Sequence, residues 1–280
     1  LLAQAVRTAR STPQGPVLLD IPWDVLRQSV ESEDTPIHRT AIDGFGCAPK
    51  DVSDRILDAL STARRPVALV GRAFGSPEAR ARLHEFASRA GVPLVSDYEG
   101  LGSLTGSDWH VGLVQSLATL APDDRPDVVL MLGLRFGLPT RFATGQLVPK
   151  DARVFQIDPD GRELGRLQNV EVGVQADPVA SVAHFGELLG VGAAPAQRKA
   201  WLASLRQSVD EHSASLLAEA EAHTGAIHPF LAVRTIATTV PDESVIVVDG
   251  ALTELWLSET IRPTSDARRW RRRRAARLGR

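Results

Sequence analysis

Between residues 51 and 190 the chain alternates short, continuously apolar runs with segments of helical periodicity, and few architectures accommodate that pattern. The runs Pro66-Val67-Ala68-Leu69-Val70 and Val128-Val129-Leu130-Met131-Leu132 carry no charged or hydrogen-bonding side chain, so neither strand has a face suited to water. Strands of this kind belong to a parallel sheet covered by helices on both sides. Further strands are expected at 92–96, 153–158 and 170–174, and helices at 51–63, 77–90 and 178–189. A short helix within 112–120 and a helical turn at 161–166 complete the pattern. Residues 51–190 are therefore expected to form one doubly wound α/β domain.

The flanks carry pieces of the same alphabet. Residues 1–10 have helical spacing, and Thr12-Pro13-Gln14-Gly15 turns the chain into the apolar run 16–22, expected to be a buried strand. Residues 31–50 are mixed polar with Pro36, Gly44, Gly46 and Pro49, as a linker would be. The stretch Gly190-Val191-Gly192-Ala193-Ala194-Pro195 is a second linker candidate. Beyond it lie expected helices at 197–222 and 229–239, a strand at 244–248 and a helix after Asp249-Gly250. The organisation is thus a piece of one domain (1–30), a linker (31–50), a complete central domain (51–190) and the opening of a third (191–261).

With 43% hydrophobic and 24% charged residues, the chain has the composition of a globular protein with a sizeable core. The longest apolar run, 128–132, is far below the ~20 residues of a membrane helix. A single cysteine, Cys47, forms no internal disulfide, which fits a reducing, cytoplasmic setting. The opening Leu1-Leu2-Ala3-Gln4-Ala5-Val6 lacks the basic leader of a signal peptide and is expected to lie inside a longer chain. Net charge is −2, yet residues 262–280 hold nine Arg and one Asp, against 23 basic and 33 acidic residues before them. Such a run would neutralise phosphates of a nucleic acid. The composition breaks abruptly at Arg262, however, in a chain with 29 Arg and 3 Lys, as an out-of-frame stretch of a GC-rich gene would. Nucleic-acid binding is not expected.

The strongest chemical signal is the strand Val245-Ile246-Val247-Val248 running through Asp249-Gly250 into a helix beginning Ala251-Leu252-Thr253. Helix amino termini offer unpaired N–H groups to anions, so a phosphate would sit on Ala251 to Thr253; the plainer alternative is that Asp249 caps the helix and Gly250 relieves a turn. Gly71-Arg72-Ala73-Phe74-Gly75 and Gly133-Leu134-Arg135-Phe136-Gly137 also follow strands and place an Arg where a nucleotide phosphate would lie. Neither matches Gly-x-Gly-x-x-Gly, and solvated arginines are the simpler reading. Asp158-Pro159-Asp160 reads as a helix-start cap. The seven histidines show no metal-ligand spacing, and His228 before Pro229 reads as a helix-entry residue. Trp23 follows the 16–22 run, where an aromatic either walls a ligand site or packs in a core.

Taken in order, Gly15-Pro16-Val17-Leu18-Leu19-Asp20-Ile21-Pro22-Trp23-Asp24-Val25, Arg65-Pro66-Val67, Gly91-Val92-Pro93, Gly133-Leu134-Arg135-Phe136-Gly137, Gln156-Ile157-Asp158-Pro159-Asp160 and Val248-Asp249-Gly250-Ala251-Leu252-Thr253-Glu254-Leu255-Trp256 resemble the thiamine-diphosphate-dependent acetolactate synthase superfamily over residues 1–261. Within it the chain is most similar to the benzaldehyde lyases, through Asp97-Tyr98-Glu99-Gly100-Leu101, Gly145-Gln146-Leu147-Val148-Pro149 and Glu163-Leu164-Gly165-Arg166-Leu167-Gln168.

The resemblance implies an α/β fold in which a doubly wound central domain is flanked by partial pyrimidine-binding and diphosphate-binding domains. It implies a carbon–carbon lyase or carboligase acting on 2-hydroxy ketones and aldehydes, using thiamine diphosphate and Mg2+ in a homodimer or homotetramer. An acetolactate-synthase-like or 2-hydroxyacyl-CoA-lyase-like enzyme is the alternative, as is a non-catalytic nucleotide-binding domain. The family's activating glutamate is expected upstream of Leu1. Its metal-holding Gly-Asp-Gly does not occur, and the one asparagine is Asn169, so this chain by itself is not expected to be catalytically competent and holds no metal ligand. By the same resemblance Gly250, Ala251, Leu252 and Thr253 would contact the cofactor diphosphate. Trp23 stands at a substrate-pocket tryptophan, where acetolactate synthases have lysine, and Glu254 where the lyases have a pocket tyrosine. Acetolactate synthases hold a flavin partly by an acidic pair after Gly-x-Arg-Phe; here Gly137-Leu138-Pro139-Thr140 replaces it, and FAD is not expected.

Overall fold

The computed structural model describes residues 1–12, 14–29, 46–189, 196–241, 256–257 and 259–260, and the chain divides into two units, Leu1–Phe45 and Gly46–Arg280. In the first unit, helix α1 (Leu2–Arg10) ends where Ser11 folds its hydroxyl back onto the Arg7 carbonyl at 2.7 Å. A single turn, α2 (Trp23–Leu26), follows Pro22. The apolar run 16–22 is not the buried strand its composition suggests: it joins no ladder, and Val17, Leu18 and Ile21 are exposed. A strand exists only through its ladder, and no partner strand lies in this unit among the described residues.

The second unit runs α3 (Lys50–Thr62), β1 (Pro66–Val70), α4 (Pro77–Ala90), β2 (Leu94–Ser96), β3 (His110–Leu113), β4 (Val128–Leu132), β5 (Arg153–Asp158), β6 (Val172–Gln175), α5 (Pro178–Leu188), α6 (Ala196–Ala222) and α7 (Pro229–Thr239). The six strands form one wholly parallel sheet in the order β3-β2-β1-β4-β5-β6. β1 lies between β2 and β4, with Val70 opposite Ser96 on one side and Leu132 on the other. Every residue of β1 and β4 is buried, as their unbroken apolar character requires. The helix ends are set locally. Ser76 accepts a hydrogen bond from the Ala79 amide at the start of α4, and Gly91 closes that helix in the left-handed conformation (φ 65°). Phe86 of α4 meets Phe185 of α5 with ring centroids 5.6 Å apart, joining two helices over the sheet.

Two elements depart from the sequence expectation. Residues 110–113 form edge strand β3, and only then does a 3-10 turn, Val114–Thr119, take the place of the expected helix. The core also continues beyond residue 190, because Trp201, Leu202 and Leu205 of α6 are buried in the same cluster as the sheet. Arg198 donates to the carbonyls of Leu60 (2.6 Å) and Ser61 (3.0 Å) at the end of α3, and Arg206 donates to those of His110 (3.1 Å) and Asp108 (2.8 Å) at the start of β3. The first half of α6 is thereby fastened across the amino ends of the strands. Its far end meets α7, where the His228 ring, at the helix entry as expected, accepts the Phe230 amide at 3.2 Å and stands 5.4 Å from the Trp256 ring.

Candidate functional site

Strand order reverses between β1 and β4, and in open parallel sheets ligands bind beyond the carboxyl ends of the strands at such a point. Gly71 follows β1, Gly133 follows β4 and Gly100 lies in the loop after β2. A Cβ added at Gly71 would sit 2.1 Å from the Gly133 carbonyl oxygen, and one at Gly100 would sit 2.4 Å from that of Val70. The three loops therefore touch backbone to backbone. Gly133 itself has φ +62°, and the space a side chain would need there is bounded by Pro178 Cγ at 3.3 Å and Ala73 Cβ at 3.5 Å.

Arg135 projects from the β4 loop into a group of carboxylates. Its guanidinium nitrogens lie 3.5 Å from Asp158, 3.9 Å from Asp160 and 3.9 Å from Glu163. Asp158 ends β5, is 1% exposed, and accepts the Asp160 amide at 2.8 Å. Burial pushes its carboxyl above the usual carboxylate value, against the pull of that hydrogen bond and of Arg135. Asp160 begins the turn Gly161–Glu163, as a cap should, and is clamped by both Nε and Nη2 of Arg162 at 2.8 Å. That two-point pairing lowers its pKa to about 2. Arg166 completes the group, 2.9 Å from Glu163 and donating to the Phe136 carbonyl at 2.7 Å. The buried Gln156 side chain fixes the turn from below, donating to the Glu163 carbonyl (3.1 Å) and accepting the Gly165 amide (2.9 Å). Across the sheet Arg72 is more open and lies 4.0 Å from Glu99.

Residues 53–185, which span the whole sheet, match the family described as thiamine pyrophosphate enzyme, central domain. Along 279 aligned residues the chain is 28% identical to the acetolactate synthase isozyme 1 large subunit of Escherichia coli K12, covering 96% of this chain and 46% of that protein. The isozyme 2 large subunit of the same organism is 25% identical over 94% of this chain and 46% of its own length. Acetolactate synthase of Mycobacterium bovis is 25% identical over 94% of this chain and 43% of its own. The chain spans less than half the length of these relatives.

Placement of the sequence candidates relative to this sheet is uneven. Gly250, Ala251, Leu252, Thr253 and Glu254 lie outside the described residues. Trp23 is in the other unit, 71% exposed at the start of α2, with the Arg27 guanidinium 5.8 Å over its ring. Arg135 and Asp158 are brought together, although each was singled out for a different reason. Sequence inspection gave no functional weight to Glu163 or to Asp177, the carboxylate that caps α5. The run Asp177-Pro178 before an apolar period is the signal that marks the second. No group of three or more His, Cys, Asp or Glu side chains suited to a metal ion occurs among the described residues. No helix among them is long and apolar enough to cross a membrane.

Proposed function

We propose that the chain is part of a thiamine-diphosphate-dependent enzyme of the acetolactate-synthase type, which makes or breaks a carbon–carbon bond beside a carbonyl group of a small keto acid. The observation that carries this reading is that similarity to acetolactate synthases runs through 94–96% of the chain and so extends well beyond the central domain. Thiamine diphosphate, when bound, supplies the nucleophilic carbon and the electron sink that such bonds require. Its diphosphate would rest on the amides after Gly250, at Ala251, Leu252 and Thr253, with Mg2+ held elsewhere in the complete enzyme. The complete enzyme would be a cytoplasmic homodimer or homotetramer, in keeping with the exposed free thiol of Cys47.

A benzaldehyde-lyase-like specificity is the second reading, and Trp23 favours it. An indole where a lysine would serve a keto acid suits an aryl group better than a carboxylate. Glu254 would then line the same pocket. The two readings separate in one assay of the complete protein the gene encodes, supplied with thiamine diphosphate and Mg2+. Release of carbon dioxide from pyruvate with formation of acetolactate supports the first. Cleavage of benzoin to benzaldehyde with no turnover of pyruvate supports the second, and failure on both substrates removes both.

A further inference from the structure

The central domain has the topology of a nucleotide-binding sheet, and a flavin is the cofactor its acetolactate-synthase relationship would bring to it. The residues present do not fit one. We propose that this domain is closed to flavins and to nucleoside diphosphates because its own atoms occupy each position from which such a fold would hold a diphosphate.

Three devices normally do that work: a glycine loop that lets a phosphate approach the backbone, a helix amino terminus with free amides, and a basic side chain. All three are filled from within. At the point where strand order reverses, the approach to Gly71 is taken by the carbonyl oxygen of Gly133, only 2.1 Å from where a Cβ would be. An oxygen there presents negative charge to an incoming phosphate and leaves no room for one. Beside it the amino terminus of α5 abuts the same loop, since Pro178 is the side chain nearest Gly133. Its free amides, those of Val179 and Ala180, already bind an anion, the Asp177 carboxylate, at 2.7 and 2.9 Å. On the α4 side, Pro77 supplies no amide and the Ser76 hydroxyl takes that of Ala79.

The basic device is spent in the same way. Arg135 faces Asp158, Asp160 and Glu163, so a diphosphate reaching it would compete with carboxylates already in place. Arg162 is bound on two nitrogens by Asp160, and Arg166 is shared between Glu163 and the Phe136 carbonyl. Arg72 lies 4.0 Å from the Glu99 carboxylate, in the loop that leaves β1 at the Gly71–Gly133 contact. The domain then serves as a rigid spacer, and any cofactor of the complete protein is held by other domains.

The test is binding, not turnover, so it stands or falls separately from the proposed activity. ADP and FAD are titrated into the 280-residue chain to about 1 mM, roughly a tenfold excess over a Kd of about 100 μM, with flavin fluorescence and the melting midpoint as readouts. The complete protein is also purified and acid-extracted for flavin and adenylate. The expected result is unquenched flavin, an unmoved midpoint and no stoichiometric flavin or adenylate in the extract. Saturable quenching, a ligand-dependent rise in midpoint that is lost in Arg135→Ala, or an extracted nucleotide at one per chain would overturn the proposal.

Discussion

The indole Nε1 of Trp201 donates a hydrogen bond to the carbonyl oxygen of Pro66, 2.9 Å away, and so ties the first turns of α6 to the first residue of β1. The ring itself is buried in the core of the sheet. Trp201→Phe keeps most of the apolar volume and loses the bond, for an expected cost of about 1 kcal/mol. Trp201→Ala also opens a cavity and is expected to cost about 3–5 kcal/mol. Urea unfolding followed by far-UV circular dichroism checks both. Equal small losses for the two variants would mean that α6 is not part of the domain's cooperative core.

Asp158 and Asp160, two residues apart, should respond oppositely to pH. Burial raises the folded-state pKa of Asp158, so its contribution to stability is complete below the ordinary carboxylate value of about 4 and is lost as pH rises through the raised value. Asp158→Asn retains an acceptor for the Asp160 amide without the buried charge. It is expected to be at least as stable as the parent at pH 7, and to lose that advantage in acid. Asp160 is the reverse: its pKa of about 2 makes its contribution complete above about pH 4, with loss only as pH falls toward 2. Asp160→Asn should therefore destabilise at pH 7. Melting midpoints of both variants across pH 3–7 read the two signs directly.

How much of this was legible in the sequence depends on whether the cause is local. β1 and β4 announce themselves because they are buried on both faces and need unbroken apolar runs. β3 does not, since an edge strand with alternating burial carries His110 and Gly112, neither of which signals a strand. The run 16–22 has strand composition, yet pairing is a property of its neighbours and lies beyond any local pattern. The charge group around Arg135 is hidden for the same reason. Asp158, Asp160 and Glu163 come to it only because β4 and β5 are adjacent and in register, Leu132 opposite Ile157. Local chemistry did mark the caps at Asp160 and His228.

Asp177 caps α5 from within the chain, and its removal should be felt as a cap and nothing more. Asp177→Ala strips the acceptor from the Val179 and Ala180 amides and is expected to cost about 1 kcal/mol, up to about 2. Asp177→Asn keeps an acceptor and is expected to cost less than half as much, the remainder reflecting the lost charge at a helix amino terminus. Chemical denaturation of the two variants side by side measures the ratio. An alanine variant as stable as the parent would show that the cap is replaceable by water.

Glycine substitutions give the sharpest contrast, because the same chemical change should have opposite signs at two positions. Gly186 lies inside α5 with nothing within 4 Å of a built Cβ, and its carbonyl still serves Arg89 at 2.8 Å. Gly186→Ala is expected to stabilise by about 0.5–1 kcal/mol, since alanine loses less backbone entropy in a helix. At Gly71 the added methyl would lie 2.1 Å from the Gly133 carbonyl oxygen, a backbone atom that cannot swing aside. The β1 and β4 loops must then separate, and the variant is expected to lose about 3 kcal/mol or more. Parallel thermal and urea melts decide the matter. A Gly71→Ala variant as stable as the parent would mean that the loops are not in contact, and with that the closed crevice between them would be lost.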